Sequence, residues 1–429
     1  MAPHSIPFQR TKSSVFARSA PVSATSPLVL DRTLRTVLCA VPTVMALSAP
    51  TVGVVVPLVA IALLVIWRRE VHWAKILQHP LSVLLFLLTG YGVVSSTWAV
   101  DPVSAYTAAL RVLLVLSPVV AVTVTVAIAT VGAPTKLHAR FVLGLALGVL
   151  FLSLQTDGNV LLRSWFVPTQ AMAALRLNVS AAALCILIWM VPLCVVMSGL
   201  RRWRIVAALT FLLCAYAGYR GDGDAPRLAL VAGAVTYASA WRWPRFTAYA
   251  LFIGTLVLQV VMLTVPARVY HDRTLLARLH DVSWRDRVDI WDHVGDLIRV
   301  RPLLGYGFAN SASIPDAIEV SINDGKPRRI PLYPHNVLLQ SLLELGVAGA
   351  CAFFGVLGVI LRGIFRQPRI AWSAGLAMVG SALSIWCVTY PLWRSNWIGW
   401  LGFCAISFVA LARAAEDPRP PWREADSGY

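Results

Sequence analysis

The chain has 429 residues, of which 58% are hydrophobic and only 13% charged, with a formal net charge of +17 and a positive mean hydropathy. A soluble globule carries roughly a quarter charged residues, so this composition excludes one and points to a polytopic membrane protein. Nucleic acid is a poor explanation for the charge, because most basic residues fall in short loops and tails on one side of the membrane and record topology.

The first 35 residues are rich in Ser and Arg and hold one acid, Asp31. They read as a basic cytoplasmic tail, with an organelle transit peptide as the other reading. A helix needs about 20 largely apolar residues to cross the hydrocarbon, and twelve such segments follow: 36–49, 52–67, 81–97, 109–131, 139–154, 172–198, 203–219, 227–241, 246–265, 337–361, 370–391 and 396–412. The first two are short and interrupted by proline. All seven cysteines, Cys39, Cys185, Cys194, Cys214, Cys351, Cys387 and Cys404, lie in these apolar segments without a CxxC pair, and read as small core residues.

Alternate connections are basic: Arg68, Arg69 and Lys75; Lys136 and Arg140; Arg201, Arg202 and Arg204; Arg242 and Arg245; Arg362, Arg366 and Arg369. By the positive-inside rule these are cytoplasmic, as are the N-terminal tail and residues 413–429 with Arg413, Arg419 and Arg423. The domain plan is then a tail to residue 35, nine helices over 36–265, a large outer loop over 266–335, three helices over 336–412 and a second tail. Six arginines break the charge rule by lying at the outer ends: Arg111, Arg163, Arg176, Arg220, Arg227 and Arg394. A guanidinium at mid-bilayer costs roughly 2.5–3.5 kcal/mol. Each could snorkel to lipid phosphate, but six together favour an anionic ligand at the outer leaflet.

The turn "AGYRGDGDAPRLALVAG" sets Arg220 and Arg227 around two glycines and two aspartates. It is either self-neutralised by Asp222 and Asp224 or a flexible phosphate clamp. In the large loop, ten Lys or Arg stand against nine acids. Its segment "DVSWRDRVDIWDHVGDLIRVRPLLGYGF" places Trp284, Val288, Trp291, Val294 and Ile298 at helical spacing. This amphipathic helix lies on the membrane surface or caps the bundle, and Pro302 stops it. The GYG that follows permits a tight turn. Lys326, Arg328 and Arg329 could touch phosphates of a lipid acceptor or of the membrane.

The stretch "RRIPLYPHNVLLQSLLELGVAGA" begins the next helix. Spacing of four sets Asn336, Gln340 and Glu344 on one face, which must line the bundle interior because a polar group facing lipid is costly. The helix is expected to run on through Gly346 and Gly349. Glu344 reads first as a buried hydrogen-bond partner. His335, at the outer doorway, can take a proton from an attacking hydroxyl, although a lone histidine is often structural.

Three stretches in order, "YRGDGDAPRLAL", "RVDIWDHVGDLIRVRPLLGYGF" and "HNVLLQSLLELGVAG", make residues 200–365 resemble the O-antigen ligase family. That family shares a domain with O-antigen (Wzy-type) polymerases and with bacterial protein O-oligosaccharyltransferases. The resemblance implies an all-α, GT-C-like glycosyltransferase of the bacterial inner membrane with about twelve transmembrane helices and a periplasmic active site. It implies an inverting, metal-independent transfer of a polysaccharide from undecaprenyl diphosphate to a sugar hydroxyl of lipid A-core, without a cofactor. By the same resemblance His335 is the catalytic residue and Arg287 a substrate ligand, with Arg285 and Asn336 as neighbouring candidates. The family's arginine before the eighth helix falls on either Arg220 or Arg227. A polymerase, a transferase onto Ser or Thr of a pilin, and a lipid or polysaccharide transporter are the alternatives. The short end after the last helix leans toward a ligase, and the scarcity of mid-membrane ionisable groups leans away from transport.

Overall fold

The structure, a computed structural model, describes residues 27–47, 51–129, 134–156, 170–197, 201–220, 224–279, 281–316, 325, 327–330 and 332–415. Among them there is no β-strand. In chain order the helices are α1 (Pro27–Leu47), α2 (Val52–Ile66), α3 (Trp73–Leu77), α4 (Pro80–Ser95), α5 (Pro102–Ile128) and α6 (Pro134–Thr156). Then follow α7 (Gln170–Leu187), a 3₁₀ turn (Ile188–Met190), α8 (Val191–Met197), α9 (Arg201–Arg220), α10 (Asp224–Arg242) and α11 (Pro244–Met262). The last are α12 (Val265–His271), α13 (Arg273–Arg278), α14 (Val282–Val300), α15 (Val337–Phe365), α16 (Trp372–Trp386) and α17 (Ser395–Ala414).

Each of the twelve apolar segments overlaps a helix. Six spans among the described residues are long and apolar enough to cross a membrane by length and composition, namely 102–128, 136–154, 178–197, 244–271, 337–365 and 395–414. Three apolar helices, Val52–Ile66, Pro80–Ser95 and Arg204–Tyr219, are shorter. Of the cysteines, five are buried, Cys39 is half-buried and Cys351 is exposed, so the expectation of a core role fails for Cys351.

Local chemistry sets the helix starts nearest the site. Asp101 caps α5, accepting from the Ser104 amide at 3.0 Å, and Pro102 fills the first turn, where no amide is needed. Asp281 caps α14 through the Ser283 amide at 2.7 Å. In the core α1 lies along α6, α10 along α16, and α17 against both α2 and α5. The amphipathic α14 caps the bundle: Val288, Trp291, Val294 and Ile298 are buried, the last three packed with Leu339, Leu342 and Leu343 of α15 and Val288 with Tyr270 and Leu276.

The structure corrects the expectation of a continuous helix through Gly346. That residue has φ 62° and ψ −155°, a region open essentially to glycine alone, and α15 breaks there into two halves. The break frees carbonyls for outside partners. Tyr306 and Gly307 of the GYG turn donate their amides to Leu343 O and Glu344 O, each at 2.9 Å, and Tyr91 Oη donates to Leu345 O at 3.2 Å. In return Val347 N donates to Pro302 O at 3.0 Å. The loop after α14 is thereby sewn into the middle of α15.

Candidate functional site

Two consecutive carbonyls after α16 collect the site. Val388 O accepts from Arg287 Nε at 3.1 Å, and Thr389 O lies 3.1 Å from His335 Nδ1. A carbonyl only accepts, so Nδ1 carries the proton and Nε2 presents its lone pair. Trp291 Nε1 donates to Pro334 O at 2.8 Å, fixing the backbone just before His335. His335 itself has φ 54°, a left-handed conformation that costs energy for a non-glycine residue and recurs at functional sites.

Electrostatics keep this imidazole neutral. Burial first, and then the Arg287 guanidinium, hold its pKa below the ordinary value of 6.5, with the hydrogen bond to Thr389 opposing them. Arg287 is oriented by Ser283, whose Oγ accepts from Nη1 at 2.6 Å and whose carbonyl accepts at 3.2 Å. Its guanidinium also lies over the Trp284 ring at 5.1 Å. Tyr333 packs on His335 with ring centroids 4.4 Å apart, and its hydroxyl feels both Arg394 and Arg287.

The remaining sequence candidates separate. Arg285 stands two residues from Arg287, which turns the two side chains to different sides of a helix. Its Nε donates to Leu279 O at 2.5 Å. Asn336 is buried and is the cap of α15, its Oδ1 accepting from Leu338 N at 2.9 Å and Leu339 N at 3.2 Å. Arg227 pairs with Asp224 at 3.5 Å, donates to Tyr219 O at 3.1 Å and lies over the Tyr219 ring, the self-neutralised form of that turn. Arg220 ends α9, but its side chain, like that of Arg176, and the whole of Asp222, Arg163 and Lys326 lie outside the described residues. Arg111 is exposed on α5.

Arg328 does not reach outward to phosphate. It is buried, its Nε 3.0 Å from Asp289 and its Nη2 2.6 Å from Asp292, with its guanidinium over Tyr270; it pins the end of the large loop to α14. Arg329 is exposed.

Glu344 is a structural knot. Its carboxylate accepts from Ala309 N at 3.0 Å, Ser311 N at 3.3 Å, Ser311 Oγ at 2.5 Å, Gln340 Nε2 at 3.0 Å and Trp393 Nε1. Gln340 Oε1 in turn accepts from Leu392 N at 2.8 Å. The polar stripe on α15 therefore locks the 305–311 turn and the α16–α17 connection around the site. Among the described residues, no three His, Cys, Asp or Glu side chains come together as a metal site. Sequence reasoning left Tyr333 out and did not tie Arg394 to His335; the cue was an arginine directly after Trp393 at an outer helix end.

Comparison with known proteins agrees with this region of the chain. Residues 209–354, which include α14, the GYG turn, His335 and the break in α15, match a family model described as O-Antigen ligase. A Rickettsia felis protein named "Putative polysaccharide ligase" is 25% identical over 325 residues, which is 73% of this chain and 76% of that protein. A Rickettsia conorii protein with the same description is 25% identical over 61% of this chain and 64% of its own length. A third, from Rickettsia prowazekii, is 28% identical over 35% of this chain and 37% of its own. The matches thus span from about three quarters to about a third of the relatives' lengths. The resemblance to the O-antigen ligase-type family holds.

Proposed function

We propose, from the premise that residues 209–354 are an O-antigen ligase domain, that the chain is an O-antigen ligase of the bacterial inner membrane. In this reading its twelve apolar helices cross the bilayer, residues 266–335 form a periplasmic loop, and the fold is of the GT-C kind. It moves a polysaccharide from undecaprenyl diphosphate to a sugar hydroxyl of lipid A-core. The carrying observation is a neutral imidazole whose Nδ1 is anchored on Thr389 O and whose neighbour is the guanidinium of Arg287.

The reaction is a single displacement. The core-sugar hydroxyl attacks the anomeric carbon and its proton passes to His335 Nε2. The bond from that carbon to the phosphate oxygen breaks, and undecaprenyl diphosphate leaves with the electron pair. Attack opposite the leaving group inverts the anomeric centre. Arg287 stabilises the charge gathering on the diphosphate, which is already a stable anion, so the step asks for no divalent ion. Arg220 and Arg227 are further donor ligands in this reading, although Arg227 must first exchange Asp224 for phosphate. Arg285 and Asn336 act by shaping the turn before α14 and the start of α15.

The test is glycan transfer by purified protein in detergent with chelator, given undecaprenyl-diphosphate glycan and lipid A-core. A positioned base is worth about 10²–10⁴-fold, so His335→Ala should lose at least a hundredfold while remaining folded. Normal ligation by that variant defeats the assignment, and elongation of the donor glycan without transfer to the core identifies a polymerase.

A further inference from the structure

The α10–α11 and α15–α16 connections meet around a surface hollow of about 370 Å³, lined by Trp243, Pro244, Arg245, Phe246, Arg369 and Trp372. Hydrogen bonds fix its walls. Pro244 fills the first turn of α11, Thr247 N donates to Trp243 O at 2.9 Å, and the hydroxyls of Ser239 and Thr247 share a hydrogen bond of 2.8 Å across the turn. On the facing connection Trp372 Nε1 donates to Gln367 O at 2.8 Å, and the Trp372 ring meets Phe365 edge to face with centroids 4.9 Å apart. The helices that leave the hollow lead toward the elements that hold His335 and Arg287. Just beyond α11, Leu263 O accepts from Arg299 of α14 at 3.0 Å, and α16 ends two residues before the carbonyl that anchors Arg287. The 19 residues of α11 extend about 28 Å, close to the thickness of a bilayer's hydrocarbon core. In the bilayer reading of these helices the hollow therefore lies among the headgroups of the leaflet away from His335.

Charge calls for an anion in this hollow. Arg245 and Arg369 are exposed, and residues 225–271 and 345–415, to which every lining residue belongs, contain no Asp or Glu. Two helices also start here, α11 and α16, neither with a side-chain cap, so their first amides and their dipoles add to the positive potential. The aromatic rings decide which kind of anion. Trp243 and Phe246 are exposed, as are the neighbouring Trp241 and Tyr249, and such rings sit at the headgroup level of a membrane. Phe246 moreover begins a stripe of exposed apolar residues, Tyr249, Ile253, Val257 and Val260, at spacings of three or four along α11. A soluble anion has no use for that stripe, whereas a phospholipid can lay an acyl chain along it while its phosphate enters the hollow.

We propose that the hollow binds one anionic phospholipid, its phosphate held by Arg245 and Arg369 between the two helix starts, its glycerol against Trp243 and an acyl chain along the α11 stripe. Each guanidinium can grip the phosphate with two hydrogen bonds. The lipid bridges the α10–α11 and α15–α16 connections. It thereby braces α15 and α16, whose far ends carry the Asn336 cap beside His335 and the carbonyl anchors, without touching the site itself. The lipid site stands whether or not the chain is a ligase.

Lipid retention tests the site. The full chain in neutral detergent is titrated with phosphatidylglycerol, and bound lipid is counted by native mass spectrometry, with thermal melting of each variant to confirm that it is folded. Wild type should hold one phosphatidylglycerol tightly, and phosphatidylethanolamine, whose ammonium offsets its phosphate, more weakly. The double variant Arg245→Ala/Arg369→Ala should weaken phosphatidylglycerol binding about tenfold or more, and Trp243→Ala should weaken it as well. Arg68→Ala, at an exposed arginine of another basic connection, should bind as wild type. Equal retention by wild type and the double variant overturns the site, and so does an equal loss in Arg68→Ala, which would reduce the binding to diffuse surface charge. Full displacement of the lipid by inorganic phosphate, with Trp243→Ala binding as wild type, would make a soluble anion the occupant and overturn the lipid.

Discussion

His335 is poised by opposing influences whose sum has a definite sign. Burial and Arg287 both disfavour the imidazolium, and together they outweigh the bond to Thr389. The folded pKa is therefore below 6.5, and the neutral form, which is the base, persists into mildly acidic solution. Turnover at saturating donor should hold steady as pH falls through 6.5 and decline only below it. Arg287→Ala removes one of the two depressing influences, so the acidic limb of kcat should move to higher pH in addition to any loss of rate. Arg287→Lys keeps the charge and should leave the limb near its wild-type position. A limb that does not move in Arg287→Ala would mean that the titration seen in turnover belongs to another group.

At the level of single elements the broken α15 organises everything near the base. Its first half is almost wholly buried, from the Asn336 cap to Leu345, and its second half resumes with outward-facing residues such as Val347. A Cβ on residue 346 would collide with Leu303 O, and the backbone there is in a glycine-only region. Gly346→Ala should cost at least about 1–3 kcal/mol from the backbone alone, seen as a lowered melting temperature in detergent or failure to fold. Gly355→Ala, in the second half, meets only Leu84 at 3.5 Å and should melt at or slightly above wild type. Equal melting of both variants would disprove the locked break. Hydropathy reveals the helices and not this break, because a glycine inside an apolar run is compatible with a straight helix. Only the arrival of Leu303 and the GYG turn shows that Gly346 is needed. The amphipathic α14 and the Asn336–Gln340–Glu344 stripe were legible because periodicity fixes a face whatever the tertiary contacts. That Arg287 rather than Arg285 stands beside His335 was legible only through the family resemblance, since both lie on the polar part of the same amphipathic helix and only the tertiary contacts to Val388 O and Leu279 O separate them.

Across the whole molecule the two ends differ in chemistry. At one end, Trp243, Arg245, Arg369 and Trp372 line one surface hollow, and Arg366, after burial, helps hold the His79 imidazole below its ordinary pKa. Three basic connections thus meet there. At the other end, the α4–α5 turn joins the large loop through Asp101 N and Asn310 Oδ1 at 2.6 Å and through Val100 N and Tyr306 O at 3.1 Å. The α16–α17 connection closes over the same loop at His335 and Glu344. Two of the connections that charge counting assigns outward thus assemble the site with the large loop, while three of the basic ones meet elsewhere, the separation that the positive-inside rule leads one to expect. The proposed side of the membrane can be measured by cysteine labelling in spheroplasts with an impermeant maleimide. Cys351 is the exposed native thiol among the described residues, so Cys351→Ser lowers the background. On that background Asp286→Cys, exposed on α14, should label in intact spheroplasts, and Arg369→Cys only after lysis. The reverse pattern would place His335 in the cytosol, away from a donor presented at the periplasmic face, and the ligase reading would then fail at its first requirement, access to its substrate.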